Sequence, residues 1–407
     1  DPEKTVFITG TNGKSTTTNL VKHTLEAAGR TVACNVEGAN MMPGVATALI
    51  KHSTLGGRLN REYLVLEVDE RSFPAIRPLL PARHMGITNL EKDQVMRNGD
   101  PDFIFRKFHG SITKDMTLYL NNEEPRSKAL EDCAGAAVYF GVEENSRTFR
   151  REGIWHVTQP CAKCGHPIVF QRYNIAGIGA FRCSHCGHAS APEPDVWITD
   201  VDFEGNSFRC GGERFDVTYN EPFYIYNYAM DIAVCRALGL TDDEIRRGFE
   251  TFRNPATHIS CYRFRGKEVH RLVAKQENPE ALQTQLEEIA MDKRPKAVFV
   301  GMRVVADYMP YYASSFYFFD NDFGPVIESG VEHYVAFSEH VCYDLASRMI
   351  YAGVPEDKIT VLDTDDFDVV MAKLDELDVD VAYFVMNLYS YGRIGGYLES
   401  HGGIENG

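Results

Sequence analysis

The chain reads as an α/β protein. A mostly parallel sheet flanked by helices carries an inserted four-cysteine ribbon, and a smaller C-terminal α/β domain follows. Three observations predict this. A glycine-rich loop, "TGTNGKST", lies between a β-rich run and a helical one. Strand-like and helix-like segments then alternate, the pattern of a parallel sheet with helical crossovers. Two tight cysteine pairs, "CAKCG" and "CSHCG", stand in a Gly-, Pro- and His-rich stretch that breaks the alternation.

"KTVFITG" is a short β-rich run into a glycine turn, and "KSTTTNLVKHTLEAAG" has helical spacing and stops at Gly29. "EYLVLEVDE" (Glu62–Glu70) is a buried-type strand ending in acids. "HMGITNL" (His84–Leu90) and "MTLYLNNEEP" are further strands running into polar ends. Ligands of such sheets gather at the carboxyl ends of strands, where the loop, the acids and "TNLEKDQ" all fall. "PFYIYNYAMDIAVCRALGL" predicts an amphipathic helix, and "TDDEIRRGFETF" a helix capped by Thr241. "FRNPATHIS" reads as a hinge. Beyond it "KEVHRLVAK", "KAVFVGM", "HYVAFS", "KITVLD" and "VAYFVMNLY" alternate with helical segments. The expected domains are 1–255, with the ribbon inserted at about 155–195, and 262–407.

With 407 residues, 44% of them hydrophobic and 25% charged, the chain can build two or three cores. No stretch approaches the roughly 18 apolar residues of a membrane helix. The start has no basic segment leading into an apolar one, so no export signal is visible. The net charge of −16 argues against nucleic-acid binding, which draws on basic surface. Six of the ten cysteines are scattered and the other four are paired, which suggests metal rather than disulfides, and a reducing cytoplasm.

The common phosphate loop is G-x-x-x-x-G-K-[ST]. Here its first glycine would fall at Ile8, and Gly10 makes the loop two residues shorter. Backbone N–H groups from Gly10 through Thr11, Asn12 and Gly13 to Lys14 and Ser15 are placed to cradle the phosphates of ATP. Lys14 would reach the outer phosphates, and the hydroxyl of Ser15 or Thr16 would hold Mg²⁺. Cys161, Cys164, Cys183 and Cys186 follow C-x₂-C, eighteen residues, C-x₂-C. Four thiolates leave no open position, so the Zn²⁺ they would bind is structural.

"TGTNGKST" resembles the loop of the Mur ligase superfamily, whose members activate a carboxylate as an acyl phosphate and join it to an amine. "LEVDE" is similar to the strand whose acid binds Mg²⁺, which points to Glu67. "ITNLEKDQVMRNGD" resembles the Thr-Asn and Asp-His motif, with Gln94 in the His position. "LNNEEP" resembles the Asn-x-Asp-Asp-Pro turn, and "FYIYNYAMDIAV" the segment that reads adenine, through Asn227. With the four-cysteine ribbon and "VEGANMMPGVATALI", the resemblance narrows to the MurT family, the Mur-ligase-like subunits of lipid II isoglutaminyl synthase. "VAKQENP" and "YDLASRMIYAGVPEDKI" extend it more loosely into the second domain.

That resemblance implies a heterodimer with a GatD-type class I glutamine amidotransferase, which supplies ammonia. The ligase subunit would phosphorylate the α-carboxyl of D-glutamate in lipid II, with Lys14 and Glu67 at the reaction centre, and ammonia would leave D-isoglutamine. It places the chain in the cytoplasm, at the inner face of the membrane through its lipid-linked substrate. It also implies an aspartate lent to the partner's Cys-His pair. "YFFDNDF" selects Asp320, with Asp307 and Asp322 as competitors. His258 falls where the family has a hinge Arg, and Lys107 is a candidate for carbamylation. Two other readings stand beside it. One is a stand-alone ligase of the superfamily that adds an amino acid. The other is a zinc-ribbon ATPase on nucleic acid, against which the net charge counts.

Overall fold

The computed structural model describes residues 1–35, 39–93, 100–151, 159–254, 259–275, 278–302 and 316–406. Gln94, His258 and Asp307 lie outside them. The chain divides into two compact units, residues 1–91 with 100–255, and residues 92–99 with 256–407.

The first unit is built on a nine-stranded sheet in the order β12-β11-β10-β6-β5-β4-β1-β3-β2. Its strands are β1 (Thr5–Thr9), β2 (Val32–Cys34), β3 (Tyr63–Glu67), β4 (His84–Ile87), β5 (Thr117–Asn121), β6 (Ala136–Val142), β10 (Val196–Asp202), β11 (Ser207–Cys210) and β12 (Glu213–Asp216). The strands from β2 to β10 pair in parallel, and β11 and β12 add an antiparallel edge. β1, β3 and β4 are buried at every residue, which explains their unbroken apolar runs. β3 stops at Glu67, so Asp69 and Glu70 stand beyond the strand.

Helices α1 (Lys14–Ala27), α2 (Met42–Lys51), α3 (Pro101–His109), α4 (Pro125–Ala129), α5 (Pro222–Ala237) and α6 (Asp242–Thr251) cover this sheet. α6 begins with a capping box. Thr241 accepts from the Glu244 N–H, and Glu244 accepts from the Thr241 N–H at 2.9 Å. Such a cap contributes about 1 kcal/mol. α5 departs from the amphipathic expectation, because every residue from Tyr224 to Cys235 is buried. It packs on β5, β6 and β10 with one face and on α1 and α6 with the other, so no face is left for water.

The ribbon between β6 and β10 is a small antiparallel sheet of β7 (Gln159–Pro160), β8 (Pro167–Phe170) and β9 (Phe181–Cys183). It has its own core of Phe170, Tyr173 and Phe181, next to Cys161 and Cys183.

The second unit has a seven-stranded sheet, ordered β17-β16-β15-β18-β14-β13-β19. These are β13 (Ile259–Phe264), β14 (Lys267–Val273), β15 (Lys296–Gly301), β16 (Val331–Phe337), β17 (Ile359–Leu362), β18 (Val381–Met386) and β19 (Ile404–Asn406). The five strands from β17 to β14 are parallel, and β13 and β19 close the edge antiparallel. Helices α7 (Pro279–Met291), α8 (Val341–Tyr351), α9 (Phe367–Glu376) and α10 (Leu388–Ser400) bury one core on each face.

Candidate active site

β1 delivers the chain into the loop at Gly10, and α1 begins at Lys14. The loop needs glycine twice. Gly10 has φ +123°, and a Cβ there would come 2.2 Å from Thr88 Oγ1 and 2.8 Å from the Asn89 carbonyl oxygen. Gly13, the residue before α1, has φ +82°, and a Cβ there would meet Asn227 Oδ1 at 2.8 Å. Backbone this close and this left-handed admits no side chain.

The Thr-Asn pair that follows β4 splints the loop. The Thr11 N–H donates to the Asn89 carbonyl at 2.9 Å. The Asn89 side chain grips the Asn12 backbone at both ends, accepting from its N–H at 2.9 Å and donating to its carbonyl at 3.1 Å. The Thr11 hydroxyl accepts from the Glu91 N–H at 2.9 Å, and Asn12 Nδ2 donates to the Glu91 carboxylate at 2.8 Å. Gly10 to Gly13 is thus held by its neighbour strand before any ligand arrives.

Lys14 is buried and folded back on the loop. Its ammonium donates to the carbonyls of Gly10 and Thr11 and pairs with Glu70 at 2.7 Å. Glu67, in register with Ile8 of β1, accepts from Asn40 Nδ2 at 2.7 Å. Its backbone is fixed by the Asn35 side chain, 2.8 Å on each side. Lys14, Glu67 and Glu70 therefore gather at the carboxyl ends of β1 and β3. The Ser15 side chain is exposed at the start of α1, whereas Thr16 is buried. Asn227 lies under the loop, accepting from Thr17 Oγ1 at 3.1 Å, and its buried Nδ2 has no hydrogen-bond partner among the described residues. The glycine cradle, the buried lysine and this unused donor fit a nucleotide triphosphate. Ser15, Glu67 and Glu70 offer the hard oxygen ligands that Mg²⁺ takes. Glu70 escaped the sequence reading because "LEVDE" offers three acids, and only the end of β3 shows which of them turn towards the loop.

"LNNEEP" ties this site to the ribbon. Glu124 caps α4, accepting from Ser127 N–H at 2.6 Å, and also accepts from Leu90 N–H beside the Thr-Asn pair at 3.1 Å. Glu123 accepts from Tyr226 at 2.6 Å and Val142 N–H at 2.9 Å and faces Arg172 at 3.0 Å. Burial pushes both carboxyls above their ordinary range, against the pull of Arg172 and Arg126. Asn122 reads both the N–H and the carbonyl of Ala191 at 2.9 Å, and His188 bonds the Pro125 carbonyl at 2.8 Å.

The sulfurs of Cys161, Cys164, Cys183 and Cys186 all lie within 4.8 Å of one another. Two of the pairs lie 3.7 Å (Cys161–Cys186) and 3.5 Å (Cys164–Cys183) apart. A tetrahedral ion with metal–sulfur bonds of about 2.3 Å spaces its sulfurs about 3.8 Å apart, so the cluster fits Zn²⁺. Each pair sits in a matching turn. Cys161 N–H donates to the His166 carbonyl, Cys183 N–H to that of His188, and Gly165 and Gly187 follow at φ +76° and +78°.

In the second unit, Asp320 ends the helical turn Phe316–Asp320 and is half-exposed, 2.9 Å from Lys92 Nζ. Asp322 is occupied locally, accepting from Gly324 N–H at 2.9 Å. Asp93 pairs with Lys275 and lies 3.5 Å from Asn278 Nδ2. In the first unit, Lys107 lies on α3 over the Phe103 ring, 5.1 Å from its centre.

Comparison with known proteins accounts for both units. Residues 8–165 match the Mur ligase middle domain, and residues 276–391 match the MurT ligase C-terminal domain. The chain is MurT-like. The lipid II isoglutaminyl synthase (glutamine-hydrolyzing) subunit MurT of Staphylococcus aureus (strain COL) is 30% identical over 283 residues, 69% of this chain and 63% of that protein. The chain thus spans less than two thirds of that curated relative. The MurT subunit of Streptococcus pneumoniae (strain ATCC BAA-255 / R6) is 26% identical over 390 residues, 93% of this chain and 83% of that protein. The fold of the chain is also that of a pseudomurein peptide ligase type C from Methanothermus fervidus. That structure has a TM-score of 0.72 at 18% identity, covering 97% of this chain and 78% of the other. Among the described residues, no helix is long and apolar enough to cross a membrane.

Proposed function

We propose that the chain is the ATP-dependent ligase subunit of a two-protein amidotransferase. It amidates the α-carboxyl of D-glutamate in the lipid II stem peptide to D-isoglutamine, through an acyl phosphate, with ammonia released from glutamine by a GatD-type partner. The observation that carries the reading is the splinted phosphate loop with Lys14 inside it, on a chain that matches the Mur ligase middle domain in its first unit and the MurT ligase C-terminal domain in its second. ATP, when bound, supplies the phosphoryl group that turns a poor electrophile into a good one.

The chain's own residues do the positioning. Phosphoryl transfer asks for orientation and charge neutralisation more than for covalent chemistry. The backbone N–H groups of the loop and the start of α1 present positive potential to the phosphates. Lys14, on parting from Glu70, would meet the outer phosphates, and Glu70, Glu67 and the Ser15 hydroxyl would hold Mg²⁺. Asn227 offers its unused Nδ2 to the nucleotide. The four cysteines would hold Zn²⁺, which would keep the ribbon folded and leave no open position for chemistry. Asp320, partly exposed and paired with Lys92, would be the carboxylate offered to a partner's histidine.

The likeness to a peptide ligase favours one other reading, a stand-alone ligase that adds an amino acid. One assay separates them. The purified chain is incubated with lipid II and ATP in four arms: glutamine with a GatD-type subunit, glutamine alone, ammonium alone, and a panel of free amino acids. Amidation in the first and third arms only is the expected result. Amino-acid incorporation without a partner establishes the other reading, and no product in any arm removes both.

A further inference from the structure

We propose that the outward face of α2 and the turn after it form a docking surface for an anionic lipid bilayer. The proposal goes beyond the ligase reading and does not rest on it.

The charge balance of this segment is the reverse of the chain's. Between Glu37 and Glu62 the sequence has no Asp or Glu but has Lys51, Arg58 and Arg61, in a chain of net charge −16. The helix is apolar on both sides. Val45 and Ala48 face the core, and the exposed side carries Pro43, Ala46, Thr47 and Ile50, with Met41 before it. Ile50 is 76% exposed and Met41 51%. A surface helix ordinarily turns charges outward. This one shows none before Lys51.

The turn that follows presents a single leucine. Ser53 bridges to Leu59, and Thr54 N–H donates to the Arg58 carbonyl at 2.8 Å, which closes a tight turn over Gly56 and Gly57. Leu55 stands at its tip, fully exposed. Lys51, Arg58 and Arg61 lie within six residues of it in the chain, all exposed, and none pairs with an acid among the described residues. His52 sits among the same cations. Its pKa is held down first by burial and then by Arg61, Lys51 and Lys22.

An exposed apolar ridge and tip on a segment whose exposed charges are all cationic suit a bilayer whose headgroups are anionic. The side chains enter the acyl boundary and the cations meet the phosphates. Other occupants fit less well. Two copies meeting through this face would set cations against cations. Residues 39–61 contain no Phe, Tyr or Trp on which a single-stranded nucleic acid could stack.

The test is co-sedimentation of the full chain with vesicles of phosphatidylcholine, with and without phosphatidylglycerol. Binding is expected only to the anionic vesicles, and weaker as salt is raised. Ile50→Asp with Leu55→Asp should abolish it with the circular dichroism unchanged, since neither side chain is packed. Lys51→Gln with Arg58→Gln and Arg61→Gln should weaken it by roughly two orders of magnitude. Tyr351→Asp, at an exposed apolar residue of the second unit, should bind as the parent does. The proposal is overturned if the parent ignores anionic vesicles, if the Asp pair binds as tightly as the parent, or if Tyr351→Asp loses as much. It is also overturned if Ile50→Asp dissolves a self-association of a chain that does not sediment with vesicles.

Discussion

Lys14 lies folded onto its own loop, its ammonium shared between two carbonyls and Glu70. The role proposed for it requires leaving that position, so the residue would serve both stability and turnover. Lys14→Ala should reduce ATP-dependent turnover to background with a native circular dichroism spectrum. It should also lower the melting temperature, because a buried carboxylate left unpaired costs about 3 kcal/mol. Lys14→Met with Glu70→Gln should recover the melting temperature and not the turnover. A double variant as unstable as Lys14→Ala would contradict the pairing. Asp231 makes a different prediction. It is fully buried in α5, its Oδ2 has no hydrogen-bond partner among the described residues, and burial pushes its carboxyl from 3.8 up to about 8. Between these values the folded chain holds a proton that the unfolded chain has released. Stability therefore falls as pH rises through the window. Asp231→Asn should remove that slope and be more stable than the parent at about pH 8, by a few kcal/mol, in urea melts compared with melts at about pH 5. An unchanged slope would show that Asp231 is not its source.

At the scale of elements, the segment after β4 is the part that shapes the phosphate loop. Asn89→Ala removes both bonds to the Asn12 backbone, each worth about 1 kcal/mol. It should lower kcat/KM for ATP by roughly tenfold or more, and global stability by about 2 kcal/mol. Cys183→Ser should release the metal, read as zinc per chain by elemental analysis, and expose the ribbon to proteolysis. Freshly purified parent protein without metal would remove the zinc assignment. Much of this architecture was legible in the sequence. β1, β3, β4 and the central strands of the second sheet announced themselves because strands buried on both faces are unbroken apolar runs. The cysteine spacing gave the ribbon, and Thr241 gave a helix start. β13 was missed because "ISCYRF" alternates polar and apolar next to a segment read as a hinge, and β19 because three residues carry no period. The burial of α5 on both sides was invisible, since its tyrosines and Asn227 read as a polar face. The roles of Asn89, Glu70 and Glu124 needed three dimensions, because each acts on backbone far away in sequence.

For the whole molecule, the sharpest expectation joins Asp320 to a second protein. In a complex with a GatD-type subunit, Asp320→Asn should stop glutamine hydrolysis, a loss of roughly 10⁴-fold if the carboxylate orients a histidine as in a comparable triad. Amidation with added ammonium should continue. Lys14→Ala should end amidation from either nitrogen source, so the two variants separate the two half-reactions. Asp322→Asn is the control for a local structural acid, since Asp322 is spent on the Gly324 N–H. If Asp320→Asn keeps full glutaminase activity, the borrowed carboxylate is not Asp320.

The splinted loop has a thermodynamic corollary. A flexible phosphate loop becomes ordered when nucleotide binds, and each residue so fixed opposes binding with on the order of 1 kcal/mol of lost entropy. Here Gly10 to Gly13 is already fixed by Thr88, Asn89 and Glu91 when the protein folds. Nucleotide therefore meets a receptor with little freedom left to surrender. Calorimetric titration of ATP should accordingly show a small entropic penalty in the parent and a larger one in Asn89→Ala, with the heat of binding itself little altered.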